Sequence, residues 1–177
     1  MSKDLKAIAS HFQDKLKKIK VCAFDADGIL TNGLIHYDGA EVGFNRSFHV
    51  RDGYGMKILM DAGLKVGVIT GGNSLSIDKR FNENLKVDFV FKGNEDKLAA
   101  WNSVLEMGYR DYEVLYMGDE FFDIPLLQKS GFAATISEAS IEVREEVDYV
   151  SEIPSGMGCV REVIDILRYA QGIVPKI

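Results

Sequence analysis

Asp25 and Asp27 stand one residue apart, directly after the apolar run Val21-Cys22-Ala23-Phe24 and just before Gly28. Two carboxylates so placed repel each other, and a purely structural turn gains little from that. Further along, Thr70 opens the segment Thr70-Gly71-Gly72-Asn73-Ser74, Lys97 follows, and Gly118-Asp119-Glu120 precedes Asp123. Carboxylates, a hydroxyl, a lysine and glycine amides together suit chemistry on a phosphate ester. Hard oxygen ligands from Asp25, Asp119 and the backbone carbonyl of Asp27 suit Mg²⁺, which keeps waters and phosphate oxygens, better than a dedicated Ca²⁺ cage. Asp123 can be a direct ligand or can orient one. Thr70 and the amides of Gly71 and Gly72 can donate to phosphate oxygens, and Lys97 adds a positive charge where negative charge must be held. Each residue alone has a plainer reading. Asp123 can cap a helix, a lone lysine lies on a solvated face, and Gly118 can serve a turn.

The elements that must position these residues follow from the apolar spacing. Residues 3–17 read as an amphipathic helix, with Leu5, Ile8, Ala9, Phe12 and Leu16 at helical intervals. The spacing predicts buried strands at Val21–Phe24, Lys65–Thr70, Phe89–Phe91 and Val114–Met117, and a short one near Phe132–Thr135. Asp38-Gly39 between Gly33–Tyr37 and Val42–Phe48 signals a hairpin. Helices are expected from a cap at Asp52 to Ala62, from Ser74 onward, and over 95–107, 121–129, 139–146 and 158–170. Alternating strands and helices predict an α/β fold: a doubly wound parallel sheet, helices on both faces, right-handed crossovers. Ligands in such sheets bind beyond the carboxyl ends of the strands. The candidate residues all follow strand ends or lie in the connections.

Composition sets the limits. The chain has 177 residues, 46% hydrophobic and 27% charged, which fits one globular domain and excludes a mostly disordered chain. A net charge of −6 argues against a sequence-independent grip on nucleic acid. No apolar run approaches a membrane span, and lysines interrupt the N-terminal segment, so no signal peptide is expected. Two cysteines, Cys22 and Cys159, make no disulfide framework and suit a reducing, cytoplasmic compartment. His11, His36 and His49 show no paired ligand spacing, so zinc is not expected.

Asp25-x-Asp27-Gly28-x-Leu30-Thr31 resembles the first motif of the haloacid dehalogenase superfamily, and Thr70, Lys97 and Gly118-Asp119-x-x-x-Asp123 match its later motifs in order. The resemblance covers about residues 20–171 and implies a Rossmann-like catalytic domain. It also implies roles. Asp25 would be the nucleophile, because a carboxylate is ionised at neutral pH and needs no activating base. Asp27 would protonate the leaving alcohol and then accept the proton of the attacking water. Asp25, Asp27, Asp119 and Asp123 would form the Mg²⁺ site, with Thr70, Gly71, Gly72 and Lys97 holding the phosphate.

Ser47–Gly55, Gly118–Pro125 and Gly158–Ile164 with Ala170-Gln171-Gly172 narrow the resemblance to the capless 3-deoxy-D-manno-octulosonate 8-phosphate phosphatases. The intervals between motifs are filled by a hairpin, helices and a strand. Neither has room for a cap domain, which needs about 50 residues. The chain then divides into an N-terminal helix extension, 1–19, and a capless phosphatase domain, 20–177. The family's step precedes sugar activation for lipopolysaccharide synthesis. The resemblance implies a homotetramer in which the hairpin and chain ends cover a neighbour's site. The expected rim is 32–48, with Arg46, Arg51 and His49 near a sugar-acid carboxylate. Two departures bear on the substrate: Gly72 and Met157 stand where the family usually has basic residues. The related alternatives are a nonulosonate 9-phosphate phosphatase and a non-catalytic oligomerisation module. Retention of Asp25 and Asp119 argues against the second.

Overall fold

Val21–Phe24 has no polar side chain and is buried throughout, which places it mid-sheet as β1. The computed structural model describes residues 3–176. Two helical pieces, α1 (Leu5–His11) and α2 (Gln13–Leu16), precede β1. The predicted single helix over 3–17 is therefore interrupted at Phe12, whose ring packs edge-on against Phe132 with centroids 5.2 Å apart. Asp4 caps α1 by accepting from the amides of Lys6 and Ala7.

After β1 come a short hairpin, β2 (His36–Tyr37) and β3 (Phe44–Asn45), then α3 (Val50–Asp61) and β4 (Lys65–Thr70). Next are α4 (Leu75–Ile77), a π-type segment over Asp78–Leu85, β5 (Phe89–Lys92), α5 (Leu98–Glu106) and β6 (Val114–Met117). The chain continues through α6 (Ile124–Lys129), β7 (Phe132–Ile136), α7 (Ile141–Arg144), β8 (Tyr149–Ser151) and α8 (Cys159–Gln171). Six strands form a parallel sheet in the order β5-β4-β1-β6-β7-β8, and the hairpin stands apart. The expected doubly wound α/β architecture is present. No described helix is long and apolar enough to cross a membrane.

The strand order reverses beside β1: the chain first moves outward through β4 and β5, then returns to β6. Phe24 is in register with Val68 on β4 and Met117 on β6. Three strands therefore end side by side, which brings the segments after them to one edge. The Asp25 amide donates to the Met117 carbonyl at 2.9 Å, extending the ladder by one residue into the site.

Three local readings change. The fifth predicted strand gains a neighbour, β8, which is too short and too closely flanked by Asp148 and Glu152 to show a periodicity. The hairpin ladder is shorter than predicted, because its strands are largely exposed and have no sheet to extend them. Asp52 does not cap α3. The helix begins earlier, at Val50, and the buried Asp52 carboxylate accepts the Arg161 amide of α8 at 2.7 Å.

Helices α1, α3 and α8 pack together, and α5 packs on α6. Ala9, Leu16 and Ile19 belong to the same apolar core as the sheet. Gln171 fastens this packing by donating to the Leu16 and Ile19 carbonyls, both at 2.8 Å. Residues 1, 2 and 177 of the two expected segments lie outside the described residues. Cys22 and Cys159 are buried and unpaired, as expected of core residues.

Candidate active site

The site begins where β1 runs out of apolar residues. Asp25 is 2% exposed. The chain then turns tightly over Ala26–Leu30, with Gly28 at φ +91°. That conformation favours glycine, and space demands it as well: a Cβ at Gly28 would lie 2.1 Å from Asp119 Oδ2. Asp119 comes from the loop after β6. Asp25, Asp119 and Asp123 each place one carboxylate oxygen within 4.8 Å of the others.

Asp123 is fully buried, and hydrogen bonds fix both of its oxygens. Its Oδ1 accepts from Lys97 Nζ and from the Tyr116 hydroxyl, each at 2.6 Å, and its Oδ2 accepts from the amides of Asp119 and Glu120, each at 3.1 Å. Gly118 makes this turn because a Cβ there would fall 2.5 Å from Asp123 Cγ. Lys97, just before α5, has no exposed side-chain surface. Its Nζ lies 2.9 Å from Asp25 Oδ1, so one ammonium pairs with both Asp25 and Asp123. Phe122 covers the ammonium with its ring face, 4.6 Å away. The solvated-face reading of Lys97 is thus excluded.

Burial sets the electrostatics. Desolvation pushes Asp25 up to about 7, with Lys97 opposing the shift and Asp123 adding to it. Asp119 is pushed up to about 8, by burial and then by the charges of Asp25 and Asp123. Burial disfavours the Lys97 charge, but Asp25 and Asp123 more than offset this and hold its pKa above the ordinary lysine value. Tyr116 is raised by burial and by Asp123, so it stays a neutral donor. One lysine therefore leaves three clustered carboxylates short of positive charge. Asp119 Oδ1 is also buried without a hydrogen-bond partner. An unpartnered hard oxygen in an under-compensated carboxylate cluster fits a divalent cation.

Thr70 is buried at the end of β4. Its Oγ1 accepts from the Gly72 amide at 3.1 Å, which leaves the hydroxyl proton free to donate. Asp25, Asp27, Thr70, Gly71 and Gly72 line a cavity of about 260 Å³ together with Glu95 and Phe122. Asp27 faces this cavity but stands outside the three-carboxylate cluster. Its side chain is engaged by Arg46, with Nε to Oδ1 at 2.5 Å and Nη2 to Oδ2 at 2.8 Å. Asp27 Oδ1 also receives a long contact from the Thr31 hydroxyl at 3.4 Å.

Of the three expected rim residues, only Arg46 reaches the site. Arg51 is exposed on the first turn of α3. His49 precedes α3 with its ring toward Gly158, where a Cβ would meet its Cε1 at 3.6 Å. Neither lines the cavity. Tyr116, Glu95 and Phe122 escaped the sequence reading. Tyr116 looked like one more apolar strand residue, and only its place two residues before Gly118 hints otherwise. Glu95 carries no local signal, and Phe122 lies in the Gly118–Pro125 stretch with nothing to mark it for the cavity.

No family model matches the chain. A 3-deoxy-D-manno-octulosonate 8-phosphate phosphatase KdsC from Haemophilus influenzae is 36% identical over 161 residues, covering 90% of this chain and 88% of that protein. The Moraxella catarrhalis 3-deoxy-D-manno-octulosonate 8-phosphate phosphatase, solved with magnesium, phosphate and KDO, superposes with a TM-score of 0.86. It is 31% identical and covers 92% of this chain and 93% of its own. A Legionella pneumophila structure described as an HAD superfamily (subfamily III A) hydrolase has a TM-score of 0.87 at 38% identity, covering 94% of this chain and 91% of its own.

Proposed function

Because the chain belongs to the 3-deoxy-D-manno-octulosonate 8-phosphate phosphatase family of the HAD superfamily, we propose that it hydrolyses that ester to the free sugar acid and phosphate. This places it in the supply of the sugar for lipopolysaccharide synthesis. The observation that carries the reading is the buried Asp25–Asp119–Asp123 cluster around Lys97, with Asp119 Oδ1 left without a partner.

Asp25 is the nucleophile. Its carboxylate forms a bond to phosphorus as the bond from phosphorus to the sugar oxygen breaks, giving an aspartyl-phosphate. Asp27 supplies the proton to the departing oxygen. Its Oδ2 accepts only from Arg46 Nη2 and faces Gly72, so it is the atom with a lone pair left to hold that proton. Water then attacks the phosphorus and returns its proton to Asp27, and the Asp25 carboxylate leaves as phosphate is released. The Thr70 hydroxyl and the amides of Gly71 and Gly72 orient the phosphate oxygens, and Lys97 holds their charge. Asp25, Asp119 and the Asp27 carbonyl would hold Mg²⁺, which when bound offsets the charge of carboxylates and phosphate alike. Asp123 spends both oxygens on four donors, so it orients Lys97 and the Asp119 loop.

Residues 20–177 act as one capless catalytic domain with 1–19 as a docked extension. A homotetramer is supported by the hairpin, which gathers the exposed apolar side chains of Leu34, Ile35, Tyr37 and Phe44 in one segment. The two free buried thiols favour a reducing, cytoplasmic setting. The deciding experiment measures Mg²⁺-dependent phosphate release from 3-deoxy-D-manno-octulosonate 8-phosphate beside a nonulosonate 9-phosphate. A higher kcat/KM for the eight-carbon ester is expected, and a preference for the nine-carbon ester would replace this reading with the sialic-acid type.

A further inference from the structure

Arg46 lies on the exposed hairpin, yet its side chain is only 7% exposed. A guanidinium carries five N–H donors. The fork to Asp27 uses one on Nε and one on Nη2. Nη1 is buried and has no partner. Native structures rarely leave such a donor unpaired, and where they do the site commonly awaits a ligand.

Gly72 makes room for this arrangement. A Cβ there would stand 2.7 Å from Asp27 Oδ2 and 2.9 Å from Arg46 Nη2. A side chain at position 72 would have to push the fork aside, and with Gly72 there the charge at this edge of the cavity comes from Arg46. Among nearby cations, Lys92 pairs with Asp78, Arg80 lines the neighbouring groove without reaching Asp27, and Arg51 is exposed on α3 outside the lining. Arg46 also borders a second groove of about 380 Å³, lined in part by Phe48, Ser76, Lys79 and Arg80. It therefore stands between the cavity that takes the phosphate and open space for the remainder of a substrate.

We infer that Arg46 determines specificity: with Asp27 still in its fork, its remaining N–H donors bind the carboxylate of a sugar-acid phosphate whose phosphate lies at Asp25 and Thr70. The inference rests on the phosphatase reading above. A planar guanidinium suits a carboxylate better than it suits a neutral hydroxyl. A substrate lacking that carboxylate would leave Nη1 unpaired and lose the discrimination it supplies.

The test compares kcat/KM for 3-deoxy-D-manno-octulosonate 8-phosphate and for ribose 5-phosphate, a neutral sugar ester, in the wild type, Arg46→Met and Arg46→Lys. Both esters suffer when Asp27 loses its partner, so the ratio is the readout. Arg46→Met should lower the acid-to-neutral ratio by about 10- to 100-fold, as loss of a charge-assisted hydrogen bond predicts. Arg46→Lys should lower it less, and it supplies the ratio if Arg46→Met does not fold. Calorimetry should show free octulosonate binding Arg46→Lys more weakly than the wild type. If both esters fall by equal factors, Arg46 only positions Asp27 and the inference is overturned. A wild type with no preference for the acid ester would instead overturn the substrate reading.

Discussion

Asp25 and Asp119 are held in a place that resists their ionisation, and this has a measurable consequence. Both folded-state pKa values are raised, to about 7 and about 8. The metal-free folded chain therefore binds more protons than the unfolded chain above the ordinary carboxylate pKa. Stability falls as pH rises through that window. Mg²⁺ binds the ionised carboxylates, so its stabilising effect grows in the same direction. Thermal melts from pH 5 to pH 8 should show the metal-free Tm declining and the Mg²⁺-induced rise in Tm increasing. A rise in Tm that is flat across this range would argue against the cluster as the metal site. Asp25→Asn keeps the shape of the side chain but removes the proposed nucleophile. Phosphate release should drop by about 10³-fold or more, with circular dichroism unchanged. Full residual activity would exclude the aspartyl-phosphate route.

At the scale of elements, the candidate site depends on three adjacent strand ends and on turns that leave no room for a side chain. The turn after β1 and the loop after β6 interlock, with Gly28 against Asp119. Gly28→Ala would impose a left-handed conformation on a residue with a Cβ, at a cost of about 1–2 kcal/mol, and would displace the Asp119 carboxylate. Mg²⁺ affinity measured by calorimetry should weaken by about 10- to 100-fold. A variant with unchanged affinity would show that Asp119 is not a ligand. The first turn of α3 shows how an element boundary can mislead. Asp52 has the right type for an N-cap, but its carboxylate serves the start of α8 instead.

At the scale of the whole molecule, a capless domain leaves its cavity open, and the hairpin carries the apolar surface that can close it. Tyr37 and Phe44 pair across the hairpin with ring centroids 5.5 Å apart, and both are more than half exposed. If the proposed tetramer forms through this hairpin, changing both to Glu should give smaller species on sizing columns and lower kcat/KM together with assembly. A monomer with full activity would refute a site covered by a neighbour.

The order of chemical groups was legible in the sequence, as was the alternation of strands and helices. Both are local properties: an apolar run such as Val21–Phe24 specifies a buried strand, and the residue after it must lie at a strand end. The candidate set from Asp25 to Asp123 was therefore recoverable from spacing and resemblance, and the structure brings it to one sheet edge. Local pattern could not rank Arg46, Arg51 and His49, because their separation depends on how a short hairpin folds back over Gly72. Nor could it identify Tyr116 as a partner of Asp123 or show that Asp119 Oδ1 is left without a donor. Those outcomes were decided by tertiary structure, since hydrogen-bond satisfaction and burial depend on groups far apart in the chain.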